Sequence, residues 1–186
     1  MACYKRPGET WTAFEIDPKV VEIARDPEKF AFMSDCGSDI QVVVGDGRLE
    51  LAKIPASAFD VLAVDAFSSD SIPLHMLTAE AFEVYQRALR ADGILLVHIT
   101  NRHLNLEPVV ESIAKANGWS ALIRRENGRQ DAASLAPSRW VALTRSKTRL
   151  DEITRASGVA WDTLSGAKDL RPWTDDWASV LPVLIF

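Results

Sequence analysis

The chain has 186 residues, of which 47% are hydrophobic and 25% are charged, and its formal net charge is -5. This composition suits one globular domain over residues 1–186 with enough apolar side chains to fill a core. The acidic balance argues against nucleic-acid binding, which needs clustered lysine and arginine. No apolar run reaches the roughly 20 residues of a membrane span, so we predict no membrane insertion by this chain.

Apolar runs and amphipathic segments alternate along the chain. The first part predicts a strand at "TWTAFEI", a helix at "PKVVEIAR", a strand at "IQVVVGD", a short helix at "RLELAKI" and a strand buried on both faces at "FDVLAVDAF". A helix capped by Thr78 and stopped at Gly93 comes next. The rest predicts a strand at "ILLVHIT", a helix at "LEPVVESIAKANG", strands at "WSALIRRE" and "RWVALTR", a surface helix at "KTRLDEITRASG" and a C-terminal strand or docked tail.

This order of elements predicts the fold class. Strands that alternate with helices form a parallel sheet with right-handed crossovers. The two late strands have no long helix between them, which indicates a hairpin at one edge. We therefore predict an α/β protein with a doubly wound, mostly parallel sheet, whose ligands bind beyond the carboxyl ends of the strands.

Two cysteines, Cys3 and Cys36, form no C-x-x-C pair. Their spacing suggests no disulfide framework, and the N-terminal residues contain no apolar signal-peptide core. We therefore expect a reducing compartment and a cytoplasmic protein. The cysteines and the three histidines also lack the spacing of zinc ligands, so we predict no metal site.

Acidic residues follow three consecutive predicted strands. Glu15 and Asp17 end the first strand, Asp46 ends the second, and Asp65 ends the third and is followed by Asp70. The carboxyl ends of parallel strands lie on one edge of a sheet, so these carboxylates would be neighbours there. Like charges raise one another's pKa values unless a cation or hydrogen-bond donor lies among them. The pattern indicates a ligand with hydroxyls, amino groups or positive charge.

Each acid also has a purely structural interpretation. Asp17 precedes a proline and fits a helix N-cap, and Asp46 between two glycines fits a turn. Asp65 sits in an apolar run, where a carboxylate without a purpose is costly, which favours a function. Asp70 in "SSDS" fits a turn cap as well as a ligand contact. His98, within a buried strand, is interpreted as a core residue.

Three motifs, "FEID", "GDGR" and "FDVLAVDAFSSDSIP", resemble those of the spermidine synthase family in order and approximate spacing. That family belongs to the class I S-adenosylmethionine-dependent methyltransferase superfamily. The resemblance implies that Glu15 binds the ribose hydroxyls and that Asp46, with the Gly47 backbone, reads the adenine. It implies that Asp65 faces the reacting centre and that Asp70 holds the amine. The loop here is two residues longer between its acids than the family's D-S-S-D-P, which puts the amine pocket in question.

The resemblance implies aminopropyl transfer from decarboxylated S-adenosylmethionine to a polyamine, in polyamine biosynthesis. The nucleoside would be a substrate, with no tightly bound cofactor and no metal. Two alternatives stay open. One is an S-adenosylmethionine-dependent methyltransferase with an unknown acceptor, and the other is a non-catalytic nucleoside-binding or assembly module.

The family's first strand and its glycine-rich loop would precede "TAFEID", and the chain contains no such loop. We expect either a natural protein that carries the loop upstream or a shortened relative, and in both cases activity without the loop is in question. Loss of a strand from the middle of the sheet would expose strand edges. That exposure predicts a homodimer or a rearranged sheet that covers them.

Overall fold

The computed structural model of the protein describes residues 2–66, 73–128, 137–166 and 169–185. Contacts group the chain into two units, residues 1–54 and 55–186, while a single domain over 1–186 stays a prediction. The strands are β1 Thr12–Glu15, β2 Gln41–Val44, β3 Phe59–Val64, β4 Leu89–His98, β5 Ser120–Glu126, β6 Ser138–Thr144 and β7 Asp162–Thr163. The α-helices are α1 Pro18–Arg25, α2 Phe32–Cys36, α3 Gly47–Lys53, α4 Ala79–Ala88, α5 Glu107–Ala116 and α6 Lys147–Ser157, and short 3-10 helices span Ala2–Tyr4, Leu74–Met76 and Leu181–Val183.

The first unit is built on the parallel pair β1–β2, in register from Thr12 opposite Gln41 to Glu15 opposite Val44. Helix α1 and the short helix α2, which the sequence did not predict, lie between the strands. Helix α1 begins at Pro18, whose fixed φ and missing N–H suit the first helical position. Asp17 is its N-cap, and its side chain accepts a hydrogen bond of 2.8 Å from the Lys19 backbone N–H. The predicted strand–helix–strand order and the cap are confirmed.

A disulfide joins Cys3 and Cys36 in the first unit, so the expectation of unpaired cysteines is wrong. The two residues are 33 positions apart in sequence, but their Cα atoms are only 4.7 Å apart. The 3-10 helix Ala2–Tyr4 packs on α2 and brings the sulfur atoms together, a tertiary contact that cysteine spacing does not reveal. The disulfide removes the argument from unpaired cysteines for a reducing compartment, and the cytoplasmic location stays a prediction.

The second unit contains a five-stranded mixed sheet in the order β3-β4-β6-β5-β7. Strands β3 and β4 are parallel, and β6 pairs antiparallel with both β4 and β5. Strands β3, β4 and β5 therefore run in the same direction. The α/β class and the late hairpin are confirmed. The two-residue strand β7, absent from the sequence prediction, lies outside the hairpin at the sheet edge.

Two predictions about individual elements of this sheet are wrong. Strand β3 is not buried on both faces, because it is an edge strand of its sheet and Val61 is 50% exposed. Gly93 does not end α4, because α4 already ends at Ala88 and the chain enters β4 at Leu89, opposite Phe59. Gly93 lies inside β4, where an added Cβ would approach the Arg90 carbonyl oxygen to 3.0 Å.

The core of the second unit forms where α4 and α5 meet the sheet. Phe82 and Tyr85 on α4 and Ile113 on α5 are fully buried, as the spacing of their apolar residues requires. The C-terminal residues dock through a hydrogen bond of 2.8 Å from the Ile185 N–H to the His103 carbonyl, which confirms the docked tail. No helix within the described ranges is long and apolar enough to cross a membrane.

Candidate functional site

The first unit holds three of the predicted site residues at the ends of its two strands. Glu15 is the last residue of β1, and Asp46 and Gly47 follow β2 directly. A hydrogen bond of 2.9 Å from the Gly45 N–H to the Glu15 carbonyl holds the two chain segments together. The structure therefore brings Glu15 and Asp46 to the same edge of the two-stranded sheet, as predicted.

Both acids in this unit also serve the local backbone. Glu15 Oε1 accepts a hydrogen bond of 3.0 Å from the Asp17 N–H. Asp46 is the N-cap of α3, and its Oδ1 accepts one of 2.9 Å from the Leu49 N–H. Gly47 is the first residue of that helix. Asp46 thus has a structural role, but as a helix N-cap instead of the predicted turn residue, and its adenine-binding role stays a prediction.

Asp65 occupies a different environment in the second unit. It follows the last residue of β3, and its side chain is 46% exposed, so the desolvation argument that favoured a function for it does not hold. Its Oδ1 lies 2.7 Å from Nδ1 of His98. His98 ends β4 one position beyond the pair Val64–Val97, so the parallel register places the carboxylate and the imidazole side by side.

His98 is held on two further sides. Its Nε2 lies 2.6 Å from the Thr100 hydroxyl, and that hydroxyl accepts a hydrogen bond of 2.8 Å from the Arg139 N–H. Its ring stacks on Trp140 of β6, with centroids 4.7 Å apart and planes at 17°. His98 is therefore not the simple core residue that the sequence predicted, because two side chains bind its ring nitrogens and its side chain is 22% exposed.

A small apolar pocket adjoins this pair. Its lining residues are Val64, Ala66, Pro73, Met76, Leu77, Val97 and His98. The Tyr85 hydroxyl donates a hydrogen bond of 3.0 Å to the carbonyl of Met76, one of the lining residues. The His98 imidazole thus borders both the Asp65 carboxylate and the apolar pocket.

The predicted cluster of acids is only partly described. Glu15 and Asp46 belong to the first unit and Asp65 to the second, and their sharing of one rim stays a prediction. Asp70 lies outside the described residues. Within those residues, no group of three histidine, cysteine, aspartate or glutamate side chains could hold a metal ion.

The sequence contained a signal for the Asp65–His98 pair that its interpretation missed. "VLAVD" and "ILLVH" place a polar residue directly after matching apolar runs. If the two strands are parallel neighbours in matching register, the two polar residues must meet. Thr100, two residues beyond His98, then lies on the same side of the chain, as alternation along an extended segment requires.

Comparison with known proteins supports the resemblance carried by these motifs. No protein-family model matches the chain. A probable polyamine aminopropyl transferase of Bifidobacterium longum is 33% identical over 93 residues, which is 50% of this chain and 19% of that protein. The crystal structure of a probable spermidine synthase from Corynebacterium glutamicum superimposes with a TM-score of 0.61 at 17% identity and covers 91% of this chain. The chain is thus similar in sequence, over half of its length, to a polyamine aminopropyl transferase, and it is similar in fold to a spermidine synthase.

Two further solved structures are similar to the chain in fold. Spermidine synthase from Thermotoga maritima covers 90% of the chain with a TM-score of 0.54 at 15% identity. A precorrin-6y C5,15-methyltransferase from Geobacter metallireducens covers 75% with a TM-score of 0.52 at 15% identity. The fold is therefore the Rossmann-like class I methyltransferase fold. The chain spans 64% of the Corynebacterium protein and 55% of the Thermotoga protein.

Proposed function

We propose that this chain contributes the reacting centre of an aminopropyl transferase that uses decarboxylated S-adenosylmethionine and a polyamine-type acceptor. The observation that carries the proposal is the Asp65 carboxylate, which is accessible at a strand end while one of its oxygens is held by His98. Both proposed substrates are cations, and an accessible carboxylate attracts and orients cations. The similarity to a polyamine aminopropyl transferase supports the same reaction.

The chemistry requires one base and one electrostatic partner, and Asp65 can be both. The acceptor's ammonium group gives one proton to the Asp65 carboxylate and becomes a neutral amine. The amine nitrogen attacks the carbon next to the sulfonium, so that a C–N bond forms while the C–S bond breaks. The electron pair of that bond goes to sulfur, which leaves as a neutral thioether, methylthioadenosine. Asp65 then returns its proton to water.

We assign nucleoside binding to the first unit. Glu15 would accept hydrogen bonds from the ribose hydroxyls, and Asp46 with the Gly47 backbone would bind the adenine. The backbone hydrogen bonds that Glu15 and Asp46 accept leave room for these contacts, because a carboxylate offers about four lone-pair positions on its two oxygens. Asp70 would hold the acceptor amine. A homodimer and a cytoplasmic location remain part of the proposal.

The first experiment measures thermal stability of the chain with decarboxylated S-adenosylmethionine, S-adenosylmethionine and methylthioadenosine. A ligand at about 100 times its Kd adds roughly 2.7 kcal/mol to the unfolding free energy, which is a visible shift. Preference for the decarboxylated nucleoside supports aminopropyl transfer. Preference for S-adenosylmethionine with its carboxylate would replace it with methyl transfer, and no shift with any nucleoside would favour a non-catalytic module.

A further inference from the structure

His98 and Asp65 form a pair whose geometry goes beyond the roles carried by the motifs. The two side chains come from parallel neighbours, β3 and β4, and meet at 2.7 Å. We propose that His98 is a positioning residue, whose Nδ1–H holds the Asp65 carboxylate in place for the acceptor amine. This inference rests on the proposed transfer reaction.

The surrounding hydrogen bonds decide which ring nitrogen of His98 carries the proton. An ionised carboxylate can only accept, so Nδ1 must donate to Asp65. The Thr100 hydroxyl accepts the Arg139 N–H and can donate its own proton to Nε2 of His98. The Asp65 end therefore selects the neutral tautomer with the proton on Nδ1, and the Thr100 end is compatible with it.

Packing fixes the orientation of the ring. Trp140 stacks on one face at 4.7 Å, and His98 also lines the apolar pocket beside Met76 and Leu77. The His98 side chain is 22% exposed against 46% for Asp65. A ligand therefore reaches the carboxylate more readily than the imidazole, which makes His98 a support for Asp65 instead of a direct contact of the substrate.

Two substitutions test the hydrogen bond from His98 to Asp65. His98→Asn keeps an amide N–H that can take the place of Nδ1–H, whereas His98→Ala removes the donor. We expect His98→Ala to lower kcat about 100-fold, the loss that a misplaced catalytic group produces. We expect His98→Asn to recover most of this loss, because its amide N–H can hold the carboxylate in the same place.

Nitrogen-15 NMR of the histidine side chains in the full chain tests the pair without any turnover. The Nδ1–H tautomer is expected for His98, and Asp65→Asn should change the Nδ1 chemical shift of His98 while the signals of His75 and His103 serve as internal references. An Nε2–H tautomer, or an Nδ1 signal unchanged by Asp65→Asn, would overturn the inference. So would an His98→Ala variant with the parent's kcat. Absence of turnover in the parent would instead reject the transferase proposal, and the NMR result would stand separately.

Discussion

Acids follow the strands of the parallel pairs β1–β2 and β3–β4, but they make different contacts in the two pairs. Glu15 and Asp46 bind backbone N–H groups two and three residues further along the chain. Asp65 binds a side chain 33 residues away, on the neighbouring strand. The acids of the first pair organise their own turns. The acid of the second pair is part of a tertiary arrangement with an accessible carboxylate, which is where we place the chemistry.

The largest stability effect should come from a buried acid of the second unit that is purely structural. Glu107 is 5% exposed, and its Oε1 accepts hydrogen bonds from Arg125 at 2.6 Å and from the Ser165 N–H at 2.8 Å. Removing one partner of a buried ion pair costs about 3–5 kcal/mol. Here it would take the buried partner from Arg125, which keeps the exposed Asp162 at 2.8 Å, and it would take the acceptor from the Ser165 N–H. Glu107→Ala should lower the unfolding free energy by about that amount, measured by urea denaturation.

The control for Glu107 is an acid in a surface pair. Glu152 on α6 pairs with Arg149 at 2.9 Å, and both side chains are more than 40% exposed. Exposed pairs contribute about 0–1 kcal/mol. Equal losses for Glu107→Ala and Glu152→Ala would contradict a special role for burial around Glu107.

Reduction of the disulfide should give the next largest effect. Closing a loop with a sequence separation of 33 stabilises a protein by roughly 3–4 kcal/mol, mainly by restricting the unfolded chain. Cys36→Ser should therefore increase amide exchange in peptides from residues 2–54, measured by mass spectrometry. Unchanged exchange in those peptides, with and without a reducing agent, would argue that the Cys3–Cys36 bond adds no stability.

Asp46 offers a smaller effect that separates its two roles. Asp46→Ala removes the α3 cap and should cost about 1 kcal/mol, whereas Asp46→Asn keeps a capping oxygen and should cost almost nothing. If Asp46 also binds adenine through its carboxylate, Asp46→Asn should weaken nucleoside binding in calorimetry without loss of stability. Nucleoside affinity equal to that of the parent would leave Asp46 as a cap alone.

The smallest expected effect is a pH dependence in the first unit. The hydrogen bond from Lys5 holds the pKa of the Asp39 carboxyl below its usual value. A lowered folded-state pKa stabilises the fold above the unfolded pKa, and this contribution is lost as pH falls through the folded-state value. Lys5→Met should slightly reduce the fall in unfolding free energy as the pH is lowered. An unchanged fall would mean that the Lys5–Asp39 pair contributes nothing to stability.

The sequence predicted those features that depend on neighbours along the chain. Pro18 with its Asp17 cap, and the alternation of strands and helices, follow from local propensity and periodicity. The Cys3–Cys36 bond, the early start of β4 at Leu89 and the Asp65–His98 pair were missed because each depends on a contact between distant segments. The sequence analysis favoured a function for Asp65 because the residue was expected to be buried in an apolar strand. That reason was wrong, because the side chain is 46% exposed.

The most direct test of the central claim is release of methylthioadenosine from decarboxylated S-adenosylmethionine in the presence of a polyamine. Asp60→Asn is a matched control, because Asp60 lies on β3, the strand that Asp65 follows, is exposed, and lies at the longer distance of 3.5 Å from its ion-pair partner Arg90. The account predicts turnover in the parent and in Asp60→Asn, and a loss of at least about 100-fold in Asp65→Asn. Equal turnover in Asp65→Asn and the parent would contradict the assignment of the chemistry to Asp65.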